Sequence, residues 1–97
     1  MPVLICHKTR FYSHLDEGMF FGALEKIAGV KKMEARGADL FLHVSSRLSD
    51  KALRELLGLF FRYGVDMRQL AIFITEKNRS WFYGPEKYWF ESVFSKP

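Results

Sequence analysis

Cys6, His7, His14 and His43 are the side chains best suited to nucleophilic, acid–base or metal chemistry near neutral pH. Cys6 and His7 are adjacent in "VLICH", a segment of strand character. Successive strand residues point to opposite faces, so the two cannot form a nucleophile–base pair with each other. His43 belongs to a second strand-like segment. Joined with His7 and Asp39, it would make a metal or acid–base group if the two strands were neighbours. Cys6, the lone cysteine, reads as a small buried apolar residue. The phosphate-cradling G-x-x-x-x-G-K-S/T loop, G-x-G-x-x-G, H-E-x-x-H, paired C-x-x-C and G-x-S-x-G are all missing from the sequence. The sequence therefore predicts no catalytic residue, no metal ligand and no cofactor, hence a domain that is not an enzyme.

A different chemistry is concentrated in "SWFYGPEKYWFESVF", residues 80–94. Trp81, Phe82, Tyr83, Tyr88, Trp89, Phe90 and Phe94 can close a core, stack on nucleobases or hold a protein partner. Phe residues number 10, against 4 Tyr and 2 Trp, and Phe contributes apolar area with no polar handle. That balance predicts that the tail folds back and caps the core. Trp81, Tyr83, Tyr88 and Trp89 are of the types enriched at the energetic centres of interfaces. They are the expected partner-binding residues, the partner being another protein or a second copy of the chain.

Nucleic acid is the alternative partner class, and the charge pattern predicts at most weak binding. The net charge is +4, but 15 basic residues are interleaved with 11 acidic ones. The tightest basic groups are Lys8 with Arg10, and Lys31, Lys32 and Arg36. Nucleic-acid binders concentrate such residues on one face. The strand "DLFLHVS" offers Phe41 and His43 on its less apolar side, without the basic–glycine opening that marks an RNA-recognition strand. Phe41 is expected to be covered by the C-terminal tail.

These residues must be positioned by a small set of elements. "VLIC" predicts a strand over 2–7, after Pro2. Ser13 is a helix cap with Asp16 three residues on, and Phe20, Ala23, Leu24 and Ile27 form one face. Gly29 is expected to end that helix in a left-handed conformation. Gly18 and Gly22 inside it predict close approach of another element. Residues 30–36 and 39–45 read as a hairpin, with Leu40, Leu42 and Val44 alternating with Phe41, His43 and Ser45 and Gly37 in the turn. Ser49 opens a second helix whose buried stripe is Leu53, Leu56, Leu57 and Phe60. Gly64 ends it, and Val65 packs back on its last turn.

The segment after Gly64 admits two readings. Asp66 and Gln69 form a capping-box pair, and Leu70, Phe73, Ile74, Lys77 and Trp81 follow helical spacing. Alternatively, "QLAIFIT", 69–75, is a fourth strand. The whole would then be β-α-β-β-α-β, similar to the ferredoxin-like split unit. A final short helix is expected over 86–94, with Pro85 in its first turn. In either case the fold class is α+β. It is a two-layer sandwich: an antiparallel sheet with a β-α-β-β core, helices on one face and a short C-terminal helix.

The 97 residues suit one domain, 1–97, burying roughly 60–65% of its unfolded surface. Hydrophobic content of 48% and charged content of 27% fit a globular chain and exclude a disordered one. The longest apolar runs are about five residues, far below the roughly 20 that span a bilayer. No basic run followed by an apolar stretch opens the chain, so no signal peptide and no membrane partner are predicted. A reducing, cytoplasmic location is expected for a protein with one cysteine.

Overall fold

The computed structural model describes residues 2–7, 9 and 11–95; Lys8 and Arg10 of the expected basic group lie outside them. Strand β1 (Val3–His7), helix α1 (His14–Lys26), strands β2 (Val30–Arg36) and β3 (Asp39–Val44), and helix α2 (Asp50–Tyr63) follow in the expected order. A 3-10 helix (Met67–Phe73), α3 (Arg79–Phe82) and α4 (Phe90–Phe94) complete the described chain. The sheet is antiparallel, in the order β1-β3-β2. The fold is α+β, with an antiparallel sheet carrying helices on one face.

Alternation decides which face that is. Leu4, Cys6, Leu40, Leu42 and Val44 point inward and are buried. They join Phe20 and Leu24 of α1 and Leu53, Leu56, Leu57 and Phe60 of α2 in one buried cluster. Each large side chain removed from water stabilises the fold by about 1.5–3 kcal/mol. The β2 register skips one residue between Val30 and Lys32, a bulge that lets both Val30 and Met33 pack on this core.

Local signals act as expected at several ends. Ser13 Oγ accepts from the Asp16 amide at 3.2 Å, and Ser49 Oγ from the Ala52 amide at 3.1 Å. Gly64 takes a left-handed conformation (φ 69°), and the Val65 amide donates to the Phe60 carbonyl at 3.0 Å, closing α2. Gly37 (φ 59°) turns the hairpin, with Arg36 opposite Asp39.

Other expectations are corrected. Helix α1 ends at Lys26, and Ile27 caps it in an extended conformation by donating to the Leu24 carbonyl. Gly29 does have positive φ (103°), but it serves the turn into β2, where a Cβ would stand 2.6 Å from Leu48 Cδ2. Gly18 and Gly22 admit no close neighbour: a Cβ on either would meet nothing within 4 Å. Residues 69–75 are not a fourth strand, nor do they begin a continuous helix to Trp81. The buried side chains are Met67, Leu70 and Phe73, three residues apart, which is the period of a 3-10 helix. Asn78 then breaks the run: its buried side chain accepts from the Thr75 amide at 2.8 Å and donates to the Phe73 carbonyl at 2.9 Å.

The vacant fourth-strand position, beside the free edge of β1, is occupied by one side chain. Gln69 accepts from the Ile5 amide through Oε1 and donates to the Ile5 carbonyl through Nε2, both at 2.8 Å. A carboxamide thereby replaces one rung of a ladder and blunts an edge that another chain could pair with.

Candidate partner-binding surface

The C-terminal segment lies along α2. Arg54, Gly58 and Phe61 stand at i, i+4 and i+7, on one flank of that helix. The Arg54 guanidinium lies 4.0 Å from the ring centroid of Trp81. Gly58 leaves room for Tyr88, whose hydroxyl would be 3.7 Å from a Cβ at that position. The rings of Phe61 and Tyr88 meet edge to face at 4.8 Å. Trp89 lies between the two ends, 6.0 Å from Trp81 and 4.9 Å from Tyr88, edge-on to both. Edge-to-face geometry is the one the ring quadrupoles favour.

The four expected site residues divide. Trp89 is 5% exposed, and its indole N–H donates to the Phe82 carbonyl at 2.9 Å. It does not reach the surface, and it supports the others from below. Trp81 is half-buried beneath Arg54. Tyr83 and Tyr88 are exposed, at 40% and 53%. Tyr83 packs on Phe90 and Phe94 and carries the Arg79 guanidinium at 5.1 Å. The expected helix over 86–94 is confined to Phe90–Phe94. A turn closed by the Lys87 amide on the Gly84 carbonyl, at 2.9 Å, precedes it and carries the chain toward Trp89. Phe82 and Val93 join the core cluster beside Trp89, and Phe94 packs at its margin, so the tail does close the core.

Two surface residues were missed in the sequence. Phe61, at 54% exposure, and Arg54 belong to the α2 flank. The readable signal was an aromatic at Phe61 outside the buried stripe, seven residues after Arg54.

Of the titratable candidates, His7 and His43 lie on the open face of the sheet, while Cys6 points into the core. His7 pairs with Asp39 through Nδ1, and His43 Nε2 meets Glu34 Oε1 at 2.7 Å. His7 and His43 are not brought together: His7 stands opposite Asp39 and His43 opposite Val3, four residues along β1, or about 13 Å. Among the described residues, no group of three His, Cys, Asp or Glu side chains is placed to hold a metal ion. The His43 hydrogen bond, then the charges of Lys32 and Arg36, hold the Glu34 carboxyl below its ordinary range. Burial pushes the Cys6 thiol up to about 12, so it is protonated at neutral pH. His14 is exposed at the start of α1. Phe41 is not covered by the tail. It stands on the open face with its own hairpin's Arg36 guanidinium 5.4 Å from the ring centroid.

The fold and surface define a small α+β domain with an aromatic–arginine flank. Comparison with protein-family models, with curated proteins and with solved structures gives no match.

Proposed function

We propose that this chain is a non-catalytic, cytoplasmic protein–protein interaction domain that offers the α2–tail flank to a protein partner. The observation that carries this reading is the Phe61–Tyr88 pair. Two large rings, 54% and 53% exposed, are held edge to face over the buried Trp89. Rings already fixed by packing lose little freedom on binding, and that raises the share of contact energy that becomes affinity. Arg54 over Trp81 and Arg79 over Tyr83 add the other residue type common at interface centres. The protonated, buried Cys6 and the well-separated His7 and His43 support a role without catalysis. The alternative, weak nucleic-acid binding, has less support. On the open sheet face, Lys32 and Arg36 are engaged by Glu34, at 3.7 Å and 3.5 Å.

Immobilised protein, incubated with cell lysate in the presence and absence of nuclease, tests the reading. Protein captured after nuclease treatment should be lost with the double variant Phe61→Ala/Tyr88→Ala. Capture that depends on nucleic acid, or that survives the double variant, contradicts it.

A further inference from the structure

The sheet has two edges, and the chain closes one of them. On β1, Gln69 bonds the outward amide and carbonyl of Ile5. At the other edge, β2 pairs with β3 alone, and among the described residues no strand or hydrogen bond reaches its outer side over 32–36. The register shows which groups are left there. Ile5 points its amide away from β3, so Phe41 opposite it turns its own amide and carbonyl the other way, to Glu34 of β2. Lys32 and Arg36 bond to β3 in the same sense, opposite His43 and Asp39. The alternate residues, Met33 and Ala35, therefore direct N–H and C=O outward. Peptide groups at strand spacing are matched by another extended backbone, which fixes the kind of occupant.

The side chains of β2 fix its charge. Lys31, Lys32 and Arg36 stand against the one carboxylate of the strand, Glu34. Lys32 and Arg36 share that carboxylate with His43, at 3.7 Å and 3.5 Å, and their side chains stay 64% and 69% exposed. On β3, Asp39 is engaged by His7. A second copy of β2 would bring the same surplus of positive charge, so the strand is a poor partner for itself.

We propose that β2 takes up an extended acidic segment of a partner protein as an added strand of the sheet. Lys32, Glu34 and Arg36 share the open face, so the matching segment reads acidic–x–basic–x–acidic. That pattern is the same read from either end. Its intervening residues lie beside Met33 and Ala35 on the inner face, where Met33 packs on the core, and are small or apolar. The bulge between Val30 and Lys32 confines the pairing to 32–36, and Lys31 beside it discourages uncharged strands. So short a strand binds weakly, and its charge pairs make the binding salt-sensitive. This edge does not use the α2–tail flank, so the two readings fail separately.

Titration with the peptide Thr-Glu-Val-Lys-Val-Glu-Thr, read by amide hydrogen exchange at saturating peptide, tests the pairing. The Met33 and Ala35 amides should exchange fast in the unbound domain and become protected in the complex. The Glu34 amide, bonded to β3, should be protected throughout. The charge-inverted peptide Thr-Lys-Val-Glu-Val-Lys-Thr should bind about tenfold more weakly, and the triple variant Lys32→Glu/Glu34→Lys/Arg36→Glu should reverse the preference. Ala35→Pro removes one outward donor at an edge position, where proline is tolerated, and should abolish binding. The Phe61→Ala/Tyr88→Ala variant should bind as the parent does. A peptide that leaves Met33 and Ala35 unprotected overturns the proposal. So does equal binding of the two peptides, or protection that rises with protein concentration alone, which would make a second copy the occupant. The triple variant changes exposed or half-buried positions only, so the test stands if Ala35→Pro misfolds.

Discussion

The indole N–H of Trp89 donates to the carbonyl oxygen of Phe82 at 2.9 Å, joining the end of α3 to the start of α4. Both rings are buried, so this bond holds a loop closed and satisfies a helix-end carbonyl away from water. It also sets the floor on which Tyr88 and Trp81 stand.

Trp89→Ala is expected to destabilise the domain by about 3–5 kcal/mol, the usual cost of truncating a large core aromatic. Trp89→Phe retains most of the area and leaves the Phe82 carbonyl unpaired, for about 1–3 kcal/mol. Urea denaturation of both variants checks the order. Equal, small losses would mean that the indole is not structural.

Gly18→Ala and Gly22→Ala are expected to stabilise the monomer by about 0.5–1 kcal/mol each. Nothing lies within 4 Å of either Cβ position, so the helical preference of Ala acts unopposed. Urea denaturation measures this. A loss of stability would reveal a neighbour that the fold does not show.

Gln69→Ala frees the Ile5 amide and carbonyl on the outer edge of β1. Hydrogen exchange at the Ile5 amide is expected to speed up, while the Cys6 amide, on the β3 side, stays protected. Unchanged exchange at Ile5 would mean that the carboxamide does not cover the edge.

Glu34 contributes to the acid limb of stability. Its carboxyl is held below its ordinary range in the fold, by His43 first and then by Lys32 and Arg36. The stabilisation is complete above the unfolded-state value and is lost as pH falls through the lowered folded value. Glu34→Gln should therefore flatten the fall in stability on acidification in that window. A variant whose stability falls as steeply as the parent's would remove Glu34 from the account.

The elements legible in the sequence were those whose signals are local. Ser13 and Ser49 mark helix starts, Gly64–Val65 marks a helix end, and Leu40, Leu42 and Val44 mark an inward face. Each needs only a few neighbouring residues. The segment after Gly64 was not legible because Leu70 and Phe73 fit a 3.6-residue period until Met67 is counted; the set Met67, Leu70, Phe73 has a period of three. Asn78 decided where that segment ends, through contacts with Thr75 and Phe73 that composition does not announce. In the tail, the division between inner and outer rings depends on α2. Gly58 admits Tyr88 to the surface, while Trp89 finds its acceptor at Phe82, seven residues back.

That division is the centre of the functional reading, and thermal unfolding of Phe82→Ala beside Tyr88→Ala tests it most directly. Phe82 is fully buried, and its truncation should cost about 3–5 kcal/mol, or a fall in Tm of about 15 °C or more at this chain length. Tyr88 is 53% exposed and loses mainly its two edge-to-face pairs, with Phe61 and Trp89, about 1–2 kcal/mol, for a fall of about 10 °C or less. A Tyr88→Ala variant that melts as low as Phe82→Ala, or a Phe82→Ala variant that melts like the parent, would contradict a tail whose inner rings hold the fold and whose outer rings are free for a partner.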